Sequence, residues 1–323
     1  MDNLIILADG GSSIGFGHIM RCLAIKNVWS NGVARLLVQM EGDEIAPDVA
    51  ETVAWLNDTE KLKQFATTDT LILIDSYRPN AEYFHRLKSM FPFVAVLDDY
   101  NRISYPVDLV ICPGAYGKDV DYSNQTAVTM GGVEYVIIRP EILAAKQIRI
   151  SENIRTILVT LGGSQHDEKL FNYVTESLEV AGYQVIVVTG NDQLAKKIIT
   201  KTSHIYGKLD PVTMAELMTS VDIAISAAGQ TLNELAWLGI PTFSIRTDID
   251  QQENWKYYNC HNLSLAAVLY DDPDWESVLK MALTNATYES RVERSHRLKN
   301  LLTDKGAEEI CSLINKLGGK LDD

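Results

Sequence analysis

The chain reads as short apolar runs separated by longer amphipathic stretches. Residues 4–8, 34–39, 71–74, 93–97 and 109–112 are runs rich in Ile, Leu and Val. Such runs are the pattern of strands covered on both faces, as in a parallel sheet. Helical periodicity lies between them, over 19–29 and 81–89. Alternation of this kind predicts βα units. A second series follows at 156–161, 184–188, 204–206, 223–226 and 242–245. The polar stretch 143–155 (LAAKQIRISENIR) lies between the two series and reads as an interdomain connection. The pattern therefore predicts an α/β protein of two doubly wound, Rossmann-like domains, residues 1–150 and 151–323, with a site in the cleft between them. The segment from 274 to about 317 reads as helical, and Gly318-Gly319 with the charged tail is expected to fray.

Length and composition add limits. The chain has 323 residues, 46% of them hydrophobic, enough for substantial cores. It carries 29 basic against 43 acidic residues, a net charge of -14. No basic tract is long enough to hold a polyanion, so nucleic acid is set aside as a partner. A phosphorylated small ligand would have to be bound by backbone N–H groups and helix ends, because the global field opposes it. The four cysteines (Cys22, Cys112, Cys260, Cys311) show no CxxC pair and no zinc spacing. Free thiols in a reducing compartment are the simple reading. Met1-Asp2-Asn3 opens directly into an apolar run, and no apolar run approaches the roughly 18 residues of a membrane span. The expectation is a cytoplasmic protein without stable membrane association. The sequence sets no oligomeric state.

Four stretches carry candidate chemistry. The first is Asp9-Gly10-Gly11-Ser12-Ser13-Ile14-Gly15-Phe16-Gly17-His18, a strand, a glycine loop and a helix start. Glycines let backbone come close to a ligand, and the helix points free N–H groups and its positive end into the same space. GxGxxG would suggest a dinucleotide, but the third glycine is absent and His18 follows Gly17 instead. A loop glycine is more often a turn device than a ligand clamp. A cation at a helix start is disfavoured by the dipole, so a neutral His18 able to accept a proton is expected; the plainer reading is a capping or structural residue.

The second stretch runs from Ser226 to Pro241, where small residues turn a strand into a helix ending at Gly239. Gly229, Gln230 and Thr231 at that helix start can hold a diphosphate. Glu234, one turn on, can accept both hydroxyls of a ribose; its plainer reading is an exposed Glu on an amphipathic helix. Third is Thr247 to Asn254, whose amides suit sugar hydroxyls, or else a polar loop with Asp250 as helix cap. Fourth is Asp75-Ser76-Tyr77, where Tyr77 either meets a leaving phosphate or water, or lids a strand end. Asp98 and Asp99 read as loop caps rather than an acid–base pair, and no metal site is expected. His85, His204, His261 and His296 read as structural.

At this point a resemblance emerges. IGFGHIMRCL (14–23), DSY (75–77), LDDY (97–100), AY (115–116) and GVEYVIIRPE (132–141) resemble the PseG family, UDP-sugar hydrolases of pseudaminic acid biosynthesis. LGGS (161–164), SAAGQTLNELAWLGIP (226–241) and DQQ (250–252) are similar both to that family and to MurG, a GT-B glycosyltransferase of peptidoglycan synthesis. The resemblance implies a GT-B fold with UDP held by the C-terminal domain. It implies His18 as catalytic base and Tyr77 as a catalytic-site tyrosine. It implies Glu234 on the ribose and Gly163, Ser164, Gly229, Gln230 and Thr231 facing phosphate. Ser13, Gly15, Gly17, Arg21, Leu209, Asp250 and Gln251 complete the expected substrate contacts. Leu7, Ser76 and Asp250 depart from the family's usual residues, changes that touch sugar contacts more than UDP contacts.

The implied reaction is attack of water on the anomeric carbon, with inversion and loss of UDP, no cofactor being required. Two alternatives are an inverting MurG-like transferase using a UDP-sugar donor and a non-catalytic sugar-nucleotide-binding protein.

Overall fold

Two all-parallel sheets carry the chain, one for each series of apolar runs. The computed structural model describes residues 3–11, 14–41, 50–161, 168–201, 203–270 and 272–319. The chain divides into two compact units, Met1–Ile137 with Thr303–Asp323, and Ile138–Leu302.

In the first unit the strands are β1 (Asn3–Gly10), β2 (Ala34–Met40), β3 (Glu51–Thr52), β4 (Thr70–Asp75), β5 (Phe93–Leu97), β6 (Leu109–Cys112) and β7 (Val128–Gly131). Their order in the sheet is β3-β2-β1-β4-β5-β6-β7. The chain leaves β1 to one side and returns through β4 on the other, so the crevice opens at the C-terminal ends of these two strands. Helix α1 (Gly17–Val28) buries Ile19, Cys22 and Ile25 against Leu4, Ile6 and Ala8 of β1. The alternate residues Ile5 and Leu7 face Trp55 and, on helix α2 (Ala81–Met90), Phe84 and Leu87. One strand thus serves two cores through its period of two. Asn80 caps α2 by accepting from the Tyr83 N–H at 2.9 Å.

The second unit holds β8 (Thr156–Thr160), β9 (Gln184–Val188), β10 (His204–Tyr206), β11 (Ile223–Ala227), β12 (Thr242–Arg246) and β13 (Ala266–Leu269), in the order β10-β9-β8-β11-β12-β13. Both sheets therefore share one winding. The helices are α3 (Pro140–Ala144), α4 (Glu168–Val180), α5 (Asp192–Ala195), α6 (Pro211–Thr219), α7 (Gln230–Leu238), α8 (Gln252–Cys260), α9 (Trp275–Asn285) and α10 (Tyr288–Lys299).

Two boundaries differ from those expected. The units meet at 137/138 rather than at 150. Stretch 143–155 is no free connection: Ile148 is buried, and its N–H donates to the Leu238 carbonyl at 3.1 Å. Arg291, itself buried, holds the Ser151 and Glu152 carbonyls at 2.9 and 2.8 Å. The polar side chains of this stretch suggested a linker, but its backbone is anchored at Ile148, Ser151 and Glu152. The last helix, α11 (Gly306–Gly318), belongs to the first unit. Its stripe Ala307, Ile310, Cys311 and Ile314 enters the core that α1 covers. Gly318 is not frayed: it is buried, and a Cβ there would lie 2.8 Å from Leu71 Cδ2.

The start of α11 is as tightly placed. A Cβ on Gly306 would fall 1.9 Å from the Val136 carbonyl oxygen, a backbone atom that cannot swing aside. Gly306→Ala is expected to cost about 1–3 kcal/mol through overpacking. The check is a urea titration, with a lower midpoint at unchanged slope. An unmoved midpoint would mean that α11 is not held against Val136.

Candidate active site

The crevice of the first unit is built by glycines. Beyond β1, Gly11 and Gly15 exchange backbone hydrogen bonds, Gly11 N–H to Gly15 O at 3.1 Å and Gly15 N–H to Gly11 O at 2.7 Å. Gly15 has φ of 82°, a conformation that glycine alone adopts cheaply. Helix α1 then starts without a side-chain cap, and the Cβ position of Gly17 faces open space. His18 follows in the first turn and is 8% exposed.

Its surroundings are charged and closed. His18 Nδ1 lies 2.6 Å from Asp75 Oδ1, at the end of β4. Arg21, one turn along α1, donates from Nε to Asp75 Oδ2 and from Nη2 to Asp75 Oδ1 at 2.6 Å. Its Nη1 and Nη2 also donate to Asp99, at 3.1 and 2.8 Å. The Tyr77 hydroxyl donates to Asp99 Oδ2, and its ring meets the His18 ring edge to face, with centroids 4.7 Å apart. The Cys22 thiol donates to Asp75 Oδ2 at 3.7 Å. Three elements thus converge: α1 supplies His18, Arg21 and Cys22, β4 supplies Asp75, and the segment after β5 supplies Asp99.

The electrostatics follow. Burial opposes the charge of Asp75, but Arg21 and His18 outweigh it and hold the carboxyl well below the usual carboxylate range. Burial favours a neutral His18, yet the Asp75 charge and hydrogen bond raise its pKa above the ordinary 6.5. The helix dipole alone implied a less basic ring; the neighbouring carboxylate corrects that. An ionised Asp75 can only accept, so Nδ1 carries the hydrogen and Nε2 of the neutral ring is the basic nitrogen.

Two expected roles change. Arg21 was expected on the substrate, but its guanidinium is engaged by two carboxylates of its own unit. Asp98 and Asp99 separate. Asp98 is the loop cap, accepting from the Asn101 and Arg102 N–H groups at 2.5 and 3.2 Å and from the Tyr105 and Tyr122 hydroxyls at 2.6 and 2.8 Å. Asp99 belongs to the site. Sequence reasoning passed over Asp75 as well; the signal available was a carboxylate at the end of a central strand, beside the switch in winding.

The second unit presents a helix start. Gly229 precedes α7 without a side-chain cap, and a Cβ there would meet nothing closer than Gln251 Nε2 at 4.0 Å. Asn254, 5% exposed, donates to the Ala228 and Gly229 carbonyls at 2.9 and 3.3 Å, fixing the turn. Gln251 accepts from the Thr247 N–H at 3.1 Å. The capping residue of this loop is Asp248, accepting from the Ile249 N–H at 2.6 Å, and not Asp250. Gln230, Thr231, Asp250 and Gln251 are half-buried near the α7 start or in the loop after β12, and Leu209 is half-buried between β10 and α6. Glu234 differs from both of its expected readings. It is 1% exposed, and Arg139 clasps it from Nε to Oε1 at 2.5 Å and Nη2 to Oε2 at 2.7 Å. The ribose acceptor read from the sequence is thus occupied by an arginine from the segment before α3. Ser13, Gly163 and Ser164 lie outside the described residues.

Among the described residues, no group of three or more His, Cys, Asp or Glu is arranged to hold a metal ion, and no helix is long and apolar enough to cross a membrane. His85, His204, His261 and His296 are exposed and take no part in the crevice.

Comparison with known proteins agrees with the fold. Residues 156–306 match the glycosyltransferase family 28 C-terminal domain. The chain is 23% identical to the spore coat polysaccharide biosynthesis protein SpsG of Bacillus subtilis, over 97% of both chains. It is 26% identical to a Helicobacter pylori protein described as pseudaminic acid cytidylyltransferase and UDP-2,4-diacetamido-2,4,6-trideoxy-beta-L-altropyranose hydrolase, over 73% of this chain and 43% of that one. Among solved structures, MurG of Acinetobacter baumannii superposes with a TM-score of 0.63 at 15% identity, covering 98% of this chain and all of that one. Residues 156–306 thus match a glycosyltransferase family 28 C-terminal domain, and the chain as a whole is similar to PseG-related proteins and has the GT-B fold.

Proposed function

We propose that this protein is a sugar-nucleotide-acting enzyme, a hydrolase that cleaves a UDP-linked amino or deoxy sugar at the anomeric C–O bond with inversion. The products are UDP and the free sugar, for a pseudaminic-type acid or a surface polysaccharide. The observation that carries this reading is the imidazole–carboxylate pair of His18 and Asp75 at the crevice of the first sheet. The names of two relatives, a UDP-sugar hydrolase and a polysaccharide biosynthesis protein, support the substrate class.

In this scheme Nε2 of His18 takes a proton from water as the water oxygen attacks the anomeric carbon. The C–O bond to phosphate breaks, and its electron pair leaves on UDP through an oxocarbenium-like transition state. Asp75 stabilises the imidazolium that forms. The uncapped start of α7, with Gly229, Gln230 and Thr231, binds the diphosphate through backbone N–H groups and stabilises its growing charge. Glu234, within that helix, anchors Arg139. A transferase would use the same imidazole on an acceptor hydroxyl, and requires that acceptor before UDP appears.

Incubation with UDP-sugars and no acceptor is expected to release UDP, followed by NMR. Release only when a saccharide or lipid acceptor is added would instead mean a transferase. His18→Ala is expected to lower turnover by about 10²–10⁴ while UDP still binds. Wild-type turnover in that variant would remove His18 from the chemistry.

The pH profile has a definite sign. His18 must be neutral to act, and Asp75 raises its pKa, so kcat/KM rises through a midpoint above 6.5. In Asp75→Asn that midpoint moves to lower pH as kcat falls. A midpoint that stays put would uncouple the two residues.

Glu234→Ala strands the Arg139 guanidinium, which is expected to cost about 3–5 kcal/mol in thermal or urea unfolding. Unchanged stability with weakened UDP binding would return Glu234 to the ribose.

A further inference from the structure

One carboxylate of this crevice has no part in the scheme above. Asp99, in the segment after β5, is buried. Arg21 donates to it twice, from Nη1 to Oδ1 at 3.1 Å and from Nη2 to Oδ2 at 2.8 Å. The Tyr77 hydroxyl donates to Oδ2 as well. Donors thus reach both oxygens, the pattern of an ionised carboxylate. On its other side the same guanidinium serves Asp75, from Nε to Oδ2 and from Nη2 to Oδ1 at 2.6 Å. One arginine is therefore shared by two carboxylates, and its side chain is only 11% exposed.

Nη2 is where this arginine meets the base. It lies 2.6 Å from Asp75 Oδ1, 2.8 Å from Asp99 Oδ2 and 3.3 Å from His18 Nδ1. Its two hydrogens go to the two carboxylates. Nδ1 gives its own hydrogen to Asp75 Oδ1 at 2.6 Å. Arg21 and His18 thus compete for a single carboxylate oxygen. Burial opposes the protonated ring, Asp75 favours it, and the Arg21 charge acts against it. Burial opposes the Arg21 charge in turn, while Asp75 and then Asp99 sustain it. The other ionisable groups around His18 are Asp9 on β1, Cys22 on α1 and Tyr77. Asp9 favours the protonated ring and lies 3.8 Å from Nη1 of Arg78. Burial holds the Cys22 thiol well above its ordinary pKa, so it adds no charge. The network of Asp75, Arg21 and Asp99 holds two carboxylates and one guanidinium, one negative charge in excess. The imidazolium of His18 cancels that excess.

We propose that Asp99 is a positioning residue for the reaction, which by holding one side of Arg21 leaves the charge of Asp75 to the imidazolium of His18. This deepens the hydrolase reading and rests on it for the role of His18 as base. As water attacks, its proton moves to Nε2 and its oxygen bonds to the anomeric carbon. The electron pair of the broken C–O bond leaves on UDP. The network passes from one excess negative charge to none, and Asp99 itself takes no proton. With residue 99 neutral, Arg21 and Asp75 would already cancel, and the imidazolium would be a buried cation without a counter-charge.

The test is the titration midpoint of the His18 imidazole, followed by NMR in the full chain and assigned by the signal lost in His18→Gln. In Asp99→Asn the midpoint is expected at lower pH than in wild type. The kcat for UDP release is expected to be about tenfold lower, because a weaker base takes the proton, with KM within about twofold of wild type. Arg21→Gln removes the competing cation, and the midpoint is expected at higher pH. With no cation left to share, adding Asp99→Asn to Arg21→Gln moves the midpoint less than the same change does in wild type. An unmoved midpoint in Asp99→Asn overturns the proposal, and so does an unchanged kcat, with or without a raised KM. An equal shift in both backgrounds also overturns it, since Asp99 would then act on the ring independently of Arg21. Should Asp99→Asn not fold, Arg21→Gln decides, and a midpoint that fails to rise there overturns it. If the wild-type protein releases no UDP without an acceptor, it is the hydrolase reading that fails, and the midpoints still decide the role of Asp99.

Discussion

The carboxylate of Asp75 is the constraint around which the first unit is arranged. It is wholly buried, and an ionised carboxylate in that position is tolerable only when its oxygens are saturated by donors. His18, Arg21 and Cys22 supply those donors from successive turns of α1. Helix and strand are consequently locked in one register. The same contacts raise the basicity of His18 and leave Nε2 as its basic nitrogen. Structural satisfaction and chemical preparation are here the same set of hydrogen bonds. Arg21 extends the network to Asp99, and Asp99 holds Tyr77 against the imidazole.

The two units repeat one winding but meet different needs. In the first, side chains crowd the strand ends and create a basic nitrogen. In the second, the strand end gives way to small residues and an uncapped helix, so the backbone is what it presents. That division suits the charge of the chain. With a net charge of -14, a phosphate is better met by aligned N–H groups, which act at short range, than by the field of the whole molecule. Buried ion pairs then serve to position elements. Arg139 and Glu234 tie the segment before α3 to α7, as Arg21 and Asp75 tie α1 to β4.

What could be read along the chain was whatever depends on neighbours in sequence. Nine strands of the two sheets show as apolar runs, because a strand largely covered on both faces must be hydrophobic throughout, and the short, exposed edge strand β10 was legible from Ile205 and Tyr206. The short edge strands β3, β7 and β13 carry few apolar residues or expose part of them, and periodicity passes over them. The glycine loop with His18 and the turn into α7 were legible because strand, small residues and helix follow one another directly. The partners of those residues were not. Asp75 lies 57 residues from His18, and Glu234 lies 95 from Arg139. Nothing local distinguishes a carboxylate that will bind an arginine from one that will bind a ribose, since both need the same two oxygens. Nor could Asp98 and Asp99, adjacent in sequence, be told apart as cap and site residue. The placement of α11 in the first unit is of the same kind: its apolar stripe demands cover, but only folding selects which core provides it. Sequence alone determined most of the elements, the doubly wound class and the loops where chemistry is placed; tertiary structure decided which charges meet, because burial and pairing are properties of the assembled sheet edge and of no single segment.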